Sequence, residues 1–183
     1  MARVLIPLAQ GSEELEAVTV IDLLRRAGIE VVSAGLSEGL VKCSRGTVLM
    51  PDTVLDDVLG EQFDMIVLPG GQPGANHLNE DPRIHQLLRN MAEQGRYTAA
   101  ICAAPKVLAD AGILDGRTAT SYPGALQADN LEQTTLSEQA VVRDGSVITS
   151  RGPGTAMDFA LELIEVLLGA EKRRQVEDPL VRP

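Results

Sequence analysis

One of the two cysteines stands where the chain is expected to turn sharply from a strand into a helix. The small and apolar run of residues 97–101 ends at Cys102, and Pro105 opens a helical segment soon after it. A thiol at a helix start faces unpaired N–H groups and the positive end of the helix dipole, which lowers the cysteine pKa and favours the nucleophilic thiolate. Buried structural cysteines are also common. Position alone therefore leaves Cys102 open as a reactive thiolate or a packed small side chain.

Two further features are expected at the same edge of the fold. Gly70 and Gly71 follow the apolar run "MIVLP", and Glu16 lies near the start of the first helical segment. Backbone N–H groups in a glycine turn can hold an anion or an oxyanion, although a turn without a ligand stays an alternative. Most glutamates at helix starts are solvated, but a Glu16 turned inward and still protonated would donate a hydrogen bond to a thiolate.

The motif inventory argues against a metal, a nucleotide or another cofactor. The sequence contains no GxGxxG, P-loop, HExxH or CxxC pattern. His77 would have to fold inward to serve Cys102, and His85 is expected on the surface of an amphipathic helix. We therefore expect no metal site and no cofactor, and a Cys–His dyad is not favoured.

Composition limits the partners and the cellular setting. The net charge of -10 and the pI near 4.6 disfavour DNA, RNA or an anionic membrane as a partner. No apolar run reaches the ~18 residues that a membrane span needs, and the first residues lack a secretory signal pattern. Two cysteines do not make a disulfide framework. We therefore expect a soluble cytoplasmic protein with an aliphatic core.

Predicted strands and helices, which must position these residues, alternate along the chain. Apolar runs predict buried strands at residues 2–9, 29–36, 63–68 and 97–102. Helical spacing predicts helices at 13–28, 81–95, 104–112 and 153–169, with hairpins turning near 44–46 and 144–145. This alternation predicts one α/β domain over residues 1–183. Its architecture is expected to be a flavodoxin-like doubly wound sandwich, with a mostly parallel central sheet and helices on both faces.

Caps and periodicity give the details of two helices. Ser12 is expected to cap the first helix, and Asp81 is expected to cap the helix that follows it at residues 82–94. The apolar residues of the first helix recur at helical spacing and are expected to face the core: Leu15, Val18, Ile21 and Leu24.

Several ordered motifs together resemble the ThiJ/PfpI superfamily and, within it, its DJ-1-like branch in a bacterial-type form. The resemblance runs through "VLIPLAQGSEELEAVTVIDLLRRAGIEV", "CSRG", "VLPGG", "AAICAAP", "TSRGPGT" and "DPLV". It implies a flavodoxin-like homodimer in which Cys102 is the nucleophile of a strained elbow and Glu16 is a protonated partner. It also implies an anion or oxyanion pocket built from backbone N–H groups at Gly70, Gly71 and Ala103.

The same resemblance assigns outer positions of the site. It implies that Arg45 lines the site, that Arg26 and Pro179 reach it from the partner subunit, and that Cys43 is a peripheral, interface-side cysteine. Tyr122 stands where the branch often has histidine, which weakens a Cys–His hydrolase mechanism. Ala103 stands where protease-like relatives have histidine, so peptidase activity is not expected.

Three functions remain open at this stage, because a fold alone does not fix a function. The leading hypothesis is a redox-responsive oxidative-stress protein, in which peroxide oxidises the Cys102 thiolate to sulfinic acid beside Glu16. The alternative is a glutathione-independent glyoxalase or deglycase that acts on methylglyoxal-type aldehydes through the same two residues. The third is a holdase-type chaperone dimer without catalysis.

Overall fold

The computed structural model describes residues 1–127, 131 and 133–182. Within them the strands are β1 (Arg3–Leu8), β2 (Glu30–Gly35), β3 (Val41–Lys42), β4 (Val48–Leu49), β5 (Thr53–Val54), β6 (Met65–Leu68), β7 (Tyr97–Ile101), β8 (Thr118–Ala119), β9 (Thr135–Leu136), β10 (Val141–Asp144) and β11 (Val147–Ser150). The α-helices are α1 (Glu14–Arg26), α2 (Leu55–Val58), α3 (Gln72–Glu80), α4 (Pro82–Glu93), α5 (Pro105–Asp110), α6 (Ala156–Leu168) and α7 (Ala170–Glu177). Short 3-10 helices cover Pro153–Thr155 and Asp178–Leu180.

A seven-stranded sheet forms the central layer, in the order β10-β11-β7-β6-β1-β2-β5. Its strands pair in parallel, except for β10, which pairs with β11 in the antiparallel sense. The chain leaves β1 first towards β2 and later returns on its other side as β6. The strand order therefore reverses at β1, and a crevice opens at the carboxyl ends of β1 and β6, where such folds bind ligands.

Two apolar layers cover the faces of this sheet and confirm the predicted sandwich. Successive side chains of a strand point to opposite faces, so Val4 and Ile6 pack into one layer while Leu5 packs into the other. The first layer holds α1 and α6, including the fully buried Phe159. The second layer holds α3, α4 and α5. Both layers are almost wholly aliphatic, as the composition predicts.

Several predicted details are also present. Asp81 caps α4, since the Arg83 N–H donates to its Oδ1 over 2.9 Å. The hairpin near 44–46 joins β3 to β4, and the hairpin after Asp144 joins β10 to β11. None of the helices in the described part of the chain has the length and apolarity required to cross a membrane.

The predicted core face of α1 is partly wrong. Leu24 is buried, but Leu15 is 50% exposed and Val18 is 45% exposed. The buried face instead consists of Glu16, Ala17, Val20, Leu23 and Leu24. The helix carries two apolar stripes, and periodicity alone does not tell which of them meets the sheet. We call the outward stripe and the neighbouring apolar side chains of the hairpin the α1 surface: Leu15, Val18, Val48 and Met50.

Two other local predictions also need correction. Ser12 does not cap α1, because its Oγ accepts the Ala9 N–H over 3.1 Å within the tight turn after β1. Glu13 occupies the cap position and offers no side-chain cap. The glycine turn predicted after β6 is limited to Gly70 and Gly71, because helix α3 begins at once. The first turn of α3 tolerates Pro73, since an N–H there would be unpaired anyway.

Candidate functional site

Cys102 forms a strained elbow between β7 and α5. Its φ of 64° lies in the left-handed region, which costs a residue other than glycine about 1–2 kcal/mol. Two backbone hydrogen bonds hold it there: the Cys102 N–H donates to Ser150 O over 3.0 Å, and the Tyr122 N–H donates to Cys102 O over 2.8 Å. Strain of this kind persists when the surroundings over-determine the backbone, as they often do at functional sites.

Glu16 comes from the first turn of α1 and points into the crevice. It is completely buried, and its Oε2 accepts the Gly70 N–H over 2.7 Å. The thiol of Cys102 contacts this carboxyl group. The other oxygen, Oε1, has no hydrogen-bond partner among the N–H and O–H groups of the described residues. A buried oxygen without a donor suits a carboxyl group that keeps its proton.

Gly70 and Gly71 contact different groups of the site. A Cβ atom at Gly70 would stand 2.6 Å from the Cβ of Cys102 and 2.6 Å from Oε2 of Glu16, so no side chain fits between the two groups. The Gly70 N–H donates to Glu16 rather than facing the sulfur, and its assignment to the anion pocket stays a prediction. The backbone N–H groups of Gly71 and Ala103 do face the sulfur atom of Cys102.

Electrostatics tie the two ionisable groups together. Burial raises the pKa of Glu16 to about 7, although the Cys102 thiol and the Gly70 N–H lower it in part. Burial also raises the pKa of Cys102 to about 12, and the Glu16 carboxylate adds to that rise. Burial thus opposes the lowered cysteine pKa expected from the helix start, and it outweighs the lowering by the N–H groups of Gly71 and Ala103. Because each group shifts the pKa of the other, Glu16 and Cys102 titrate as a coupled pair.

An open cavity of about 640 Å³ lies in front of Cys102. Arg45, expected at the site, lines it, and so does Tyr122, the residue at the position of the missing histidine. No histidine is among the described residues that line this cavity. His77 is exposed on α3 and its Nδ1 bonds Gln10 O over 2.8 Å, so it does not join the cysteine. His85, expected on the surface, is half-buried and bonds Asn79 O.

Three predicted outer residues do not line the cavity of their own chain. Arg26 pairs with Asp22 at the end of α1 over 2.8 Å, and Pro179 is exposed in the last 3-10 helix. Their assignment to a partner subunit stays a prediction. Cys43, expected to be peripheral, is buried in the core, where burial and then the charges of Glu14 and Glu13 raise its pKa.

Two features of the site escaped the sequence analysis. Glu14 anchors the loop after β3, because its carboxylate accepts the N–H groups of Arg45 and Thr47 over 3.1–3.2 Å. Lys106 lines the cavity one helical turn after Cys102. The usable signal was the position of Lys106 in the first turn of the helix that follows the Cys102 elbow. In the described part of the chain, no group of three or more potential metal ligands clusters.

Comparisons with known proteins agree with this geometry. Residues 2–166 match the model of the DJ-1/PfpI family. The Drosophila melanogaster protein dj-1beta is 46% identical over 97% of this chain and 95% of its own. The crystal structure of Drosophila DJ-1beta has a TM-score of 0.94 at 45% identity, with 100% of this chain and 98% of that chain covered.

Two further relatives bear on the chemistry. The Caenorhabditis elegans protein named glutathione-independent glyoxalase DJR-1.2 is 40% identical over 98% of this chain and 95% of its own. The structure of oxidized Toxoplasma gondii DJ-1 has a TM-score of 0.92 at 39% identity, with 99% of this chain and 98% of that chain covered. On the match of its sequence, its fold and the motifs around Cys102, this chain belongs to the DJ-1/PfpI family.

Proposed function

We propose that this protein is a cofactor-free enzyme that converts small 2-oxoaldehydes, such as methylglyoxal, into 2-hydroxy acids. The observation that carries the proposal is a buried carboxyl group, Glu16, whose pKa of about 7 suits acid–base catalysis and which contacts the Cys102 thiol beside an open cavity. Kinship with a glyoxalase-named relative supports an oxidative-stress or glyoxalase-type role.

The first step joins the thiol to the aldehyde. The Cys102 sulfur attacks the aldehyde carbon of methylglyoxal, and the ionised Glu16 takes the thiol proton. This proton transfer compensates for the raised pKa of Cys102, because the thiolate need not exist before the attack. The N–H groups of Gly71 and Ala103 stabilise the new oxyanion, which then accepts the proton from Glu16 to give a hemithioacetal.

The second step moves hydrogen between neighbouring carbons. Glu16, ionised again, removes the proton from the former aldehyde carbon and returns it to the next carbon of the enediol. The hydroxyl proton on the first carbon passes to the oxygen of the second carbon. The aldehyde carbon is thereby oxidised to a thioester on Cys102 while the ketone is reduced to an alcohol. Water then hydrolyses the thioester, which releases lactate and restores the thiol. No external oxidant or reductant is needed, and a deglycase activity would enter at the same hemithioacetal.

A redox response is the second candidate, and the oxidised T. gondii relative supports it. Peroxide would convert the thiol to sulfenic acid and water, and a second peroxide would yield sulfinic acid. A protonated Glu16 and the N–H groups of Gly71 and Ala103 would then bind the sulfinate oxygens. We rank this second because the peroxide reaction makes no use of proton transfer between carbon atoms, the task that the buried Glu16 carboxyl beside the sulfur would perform with an aldehyde.

A homodimer would cover the α1 surface. Glu14 binds the loop at Arg45 and Thr47, and Arg25 binds Asp52 over 2.8 Å, so the exposed stripe of α1 lies along the β3–β4 hairpin. A contiguous apolar face of this kind is typical of an interaction surface. The holdase hypothesis draws on the same surface, which the dimer would cover.

The thiol is expected to be essential for turnover. Purified protein with methylglyoxal should form lactate, and Cys102→Ser should reduce the rate to background, because a hydroxyl is a far poorer nucleophile without a strong base. Cys43→Ala is the matched control, since Cys43 does not line the cavity, and it should keep activity. Lactate formation that survives Cys102→Ser would refute the mechanism.

The pH dependence of kcat/KM should follow the ionisation of the Glu16 carboxyl group. Because the ionised carboxylate is the active form, kcat/KM should rise with pH through an apparent pKa of about 7. Glu16→Gln should lower kcat/KM by roughly 10²–10⁴-fold and remove that inflection. Glu16→Asp retains a carboxyl group and should keep an inflection at reduced rate. The same inflection in Glu16→Gln would show that another group titrates.

Peroxide should distinguish the two thiols. After mild hydrogen peroxide, mass spectrometry should find two added oxygen atoms on Cys102 and none on Cys43. Cys43 is buried away from the cavity with a raised pKa, whereas Cys102 faces the cavity beside a proton acceptor. Oxidation of Cys43 ahead of Cys102 would contradict the redox candidate and leave the carbonyl proposal in place.

The α1 surface should control assembly. The wild type should sediment at twice the 19.5 kDa of one chain. Leu15→Glu should weaken the dimer by at least about 100-fold, because it would bury an unpaired charge. Leu136→Glu, at a similarly exposed leucine in β9, should leave the dimer intact. Equal sedimentation of all three proteins would contradict this interface.

A further inference from the structure

Lys106 brings a positive charge to the wall of the Cys102 cavity. It lies in the first turn of α5, and its Nζ donates to Oδ1 of Asn76 on α3. Asn76 is a neutral partner, so the hydrogen bond orients the ammonium group without cancelling its charge. Two of the three donors of a lysine remain free for a bound molecule.

The other charges at the cavity largely compensate each other. Glu13 accepts the Ser44 hydroxyl over 2.7 Å and lies 3.9 Å from the Arg45 guanidinium. Among the described residues, Lys106 has no carboxylate within 4.0 Å, and Asp110 at the other end of α5 is bonded to Asn79 over 2.6 Å. Lys106 is therefore a cation of the cavity wall that no carboxylate of the described residues pairs with, in a chain whose net charge is -10.

Stability does not account for this lysine. The first turn of a helix favours acidic side chains, because its N–H groups carry partial positive charge, and a lysine there is slightly unfavourable. The first turn of α5 contains no acidic residue. Lys106 opposes the charge preference of a helix start and lies beside a reactive thiol. A role in the Cys102 cavity therefore explains it better than helix stability does.

We propose that Lys106 selects 2-oxoaldehydes that carry a carboxylate. One uncompensated ammonium group matches one negative charge, which favours a carboxylate over a phosphate dianion. The inference rests on the carbonyl activity proposed above and names its substrate class. The reaction would be the one described for methylglyoxal. In 4,5-dioxopentanoate the aldehyde carbon becomes a carboxylate, the neighbouring ketone becomes an alcohol, and water supplies the oxygen, which yields 2-hydroxyglutarate.

Steady-state kinetics test the preference directly. The ratio of kcat/KM for 4,5-dioxopentanoate to that for methylglyoxal should fall about tenfold in Lys106→Met, because a hydrogen bond to a charged group is lost. Lys106→Arg should retain the preference. Lys172→Met, which removes a lysine that does not line the cavity, should match the wild type. An unchanged ratio in Lys106→Met would overturn the proposal.

Alkylation of Cys102 measures the preference of the cavity for anions independently of enzyme activity. Mass spectrometry would follow modification of Cys102 by iodoacetate, an anion, and by iodoacetamide, its neutral counterpart. The iodoacetate-to-iodoacetamide rate ratio should fall several-fold in Lys106→Met and stay unchanged in Lys172→Met. If the wild type does not turn over methylglyoxal but the ratio falls, the enzyme proposal fails and the anion preference stands. If the ratio does not change, Lys106 does not select anions.

Discussion

The burial of Glu16 is the constraint on which the rest of the site depends. A carboxyl group without solvent is costly unless it is bonded or protonated. Here one oxygen accepts the Gly70 N–H, while the other has no N–H or O–H partner among the described residues. The Gly70 carbonyl in turn accepts the Glu13 N–H over 2.9 Å, so α1 and the turn after β6 are locked together. The approach is so close that position 70 tolerates no side chain. The positions of Glu16, Gly70 and Cys102 therefore depend on one another, and none of the three can move without the others.

The arrangement makes one carboxyl group serve different chemistries at the same sulfur. With an aldehyde in the cavity, the proposed mechanism has Glu16 relay protons between sulfur, oxygen and carbon. With peroxide, the same group would accept the thiol proton and later donate a hydrogen bond to the oxidised sulfur. Which of these dominates would depend on what occupies the cavity, and the proposed role of Lys106 would bias that occupancy. On this proposal the cavity wall determines selectivity, and the buried pair determines reactivity.

Sequence reasoning predicted the sheet, the layers and the sharp turn at Cys102, because these follow from local patterns. Asp81 caps α4 by a short-range rule, and Cys102 stands at a strand-to-helix turn visible in the sequence. The errors arose where segments far apart in the sequence determine which side chains are buried. The two stripes of α1 look alike until the sheet selects one, which explains Leu15. The pKa of Cys102 depends on burial by elements far away in the chain, and the helix-start argument could not include that effect. Family resemblance, and not spacing, identified Glu16 as the partner.

The backbone of Cys102 has a consequence for how this protein would evolve. Glycine at position 102 would relieve a conformational cost of about 1–2 kcal/mol, whereas cysteine retains it. Selection for stability and selection for chemistry therefore act in opposite directions on a single codon. A lineage that no longer needed the thiol would readily acquire glycine there, and its proteins would be more stable but would lack the reactive group. Among homologous sequences, the residue at this elbow would thus distinguish proteins that keep the thiol chemistry from those that keep only the fold.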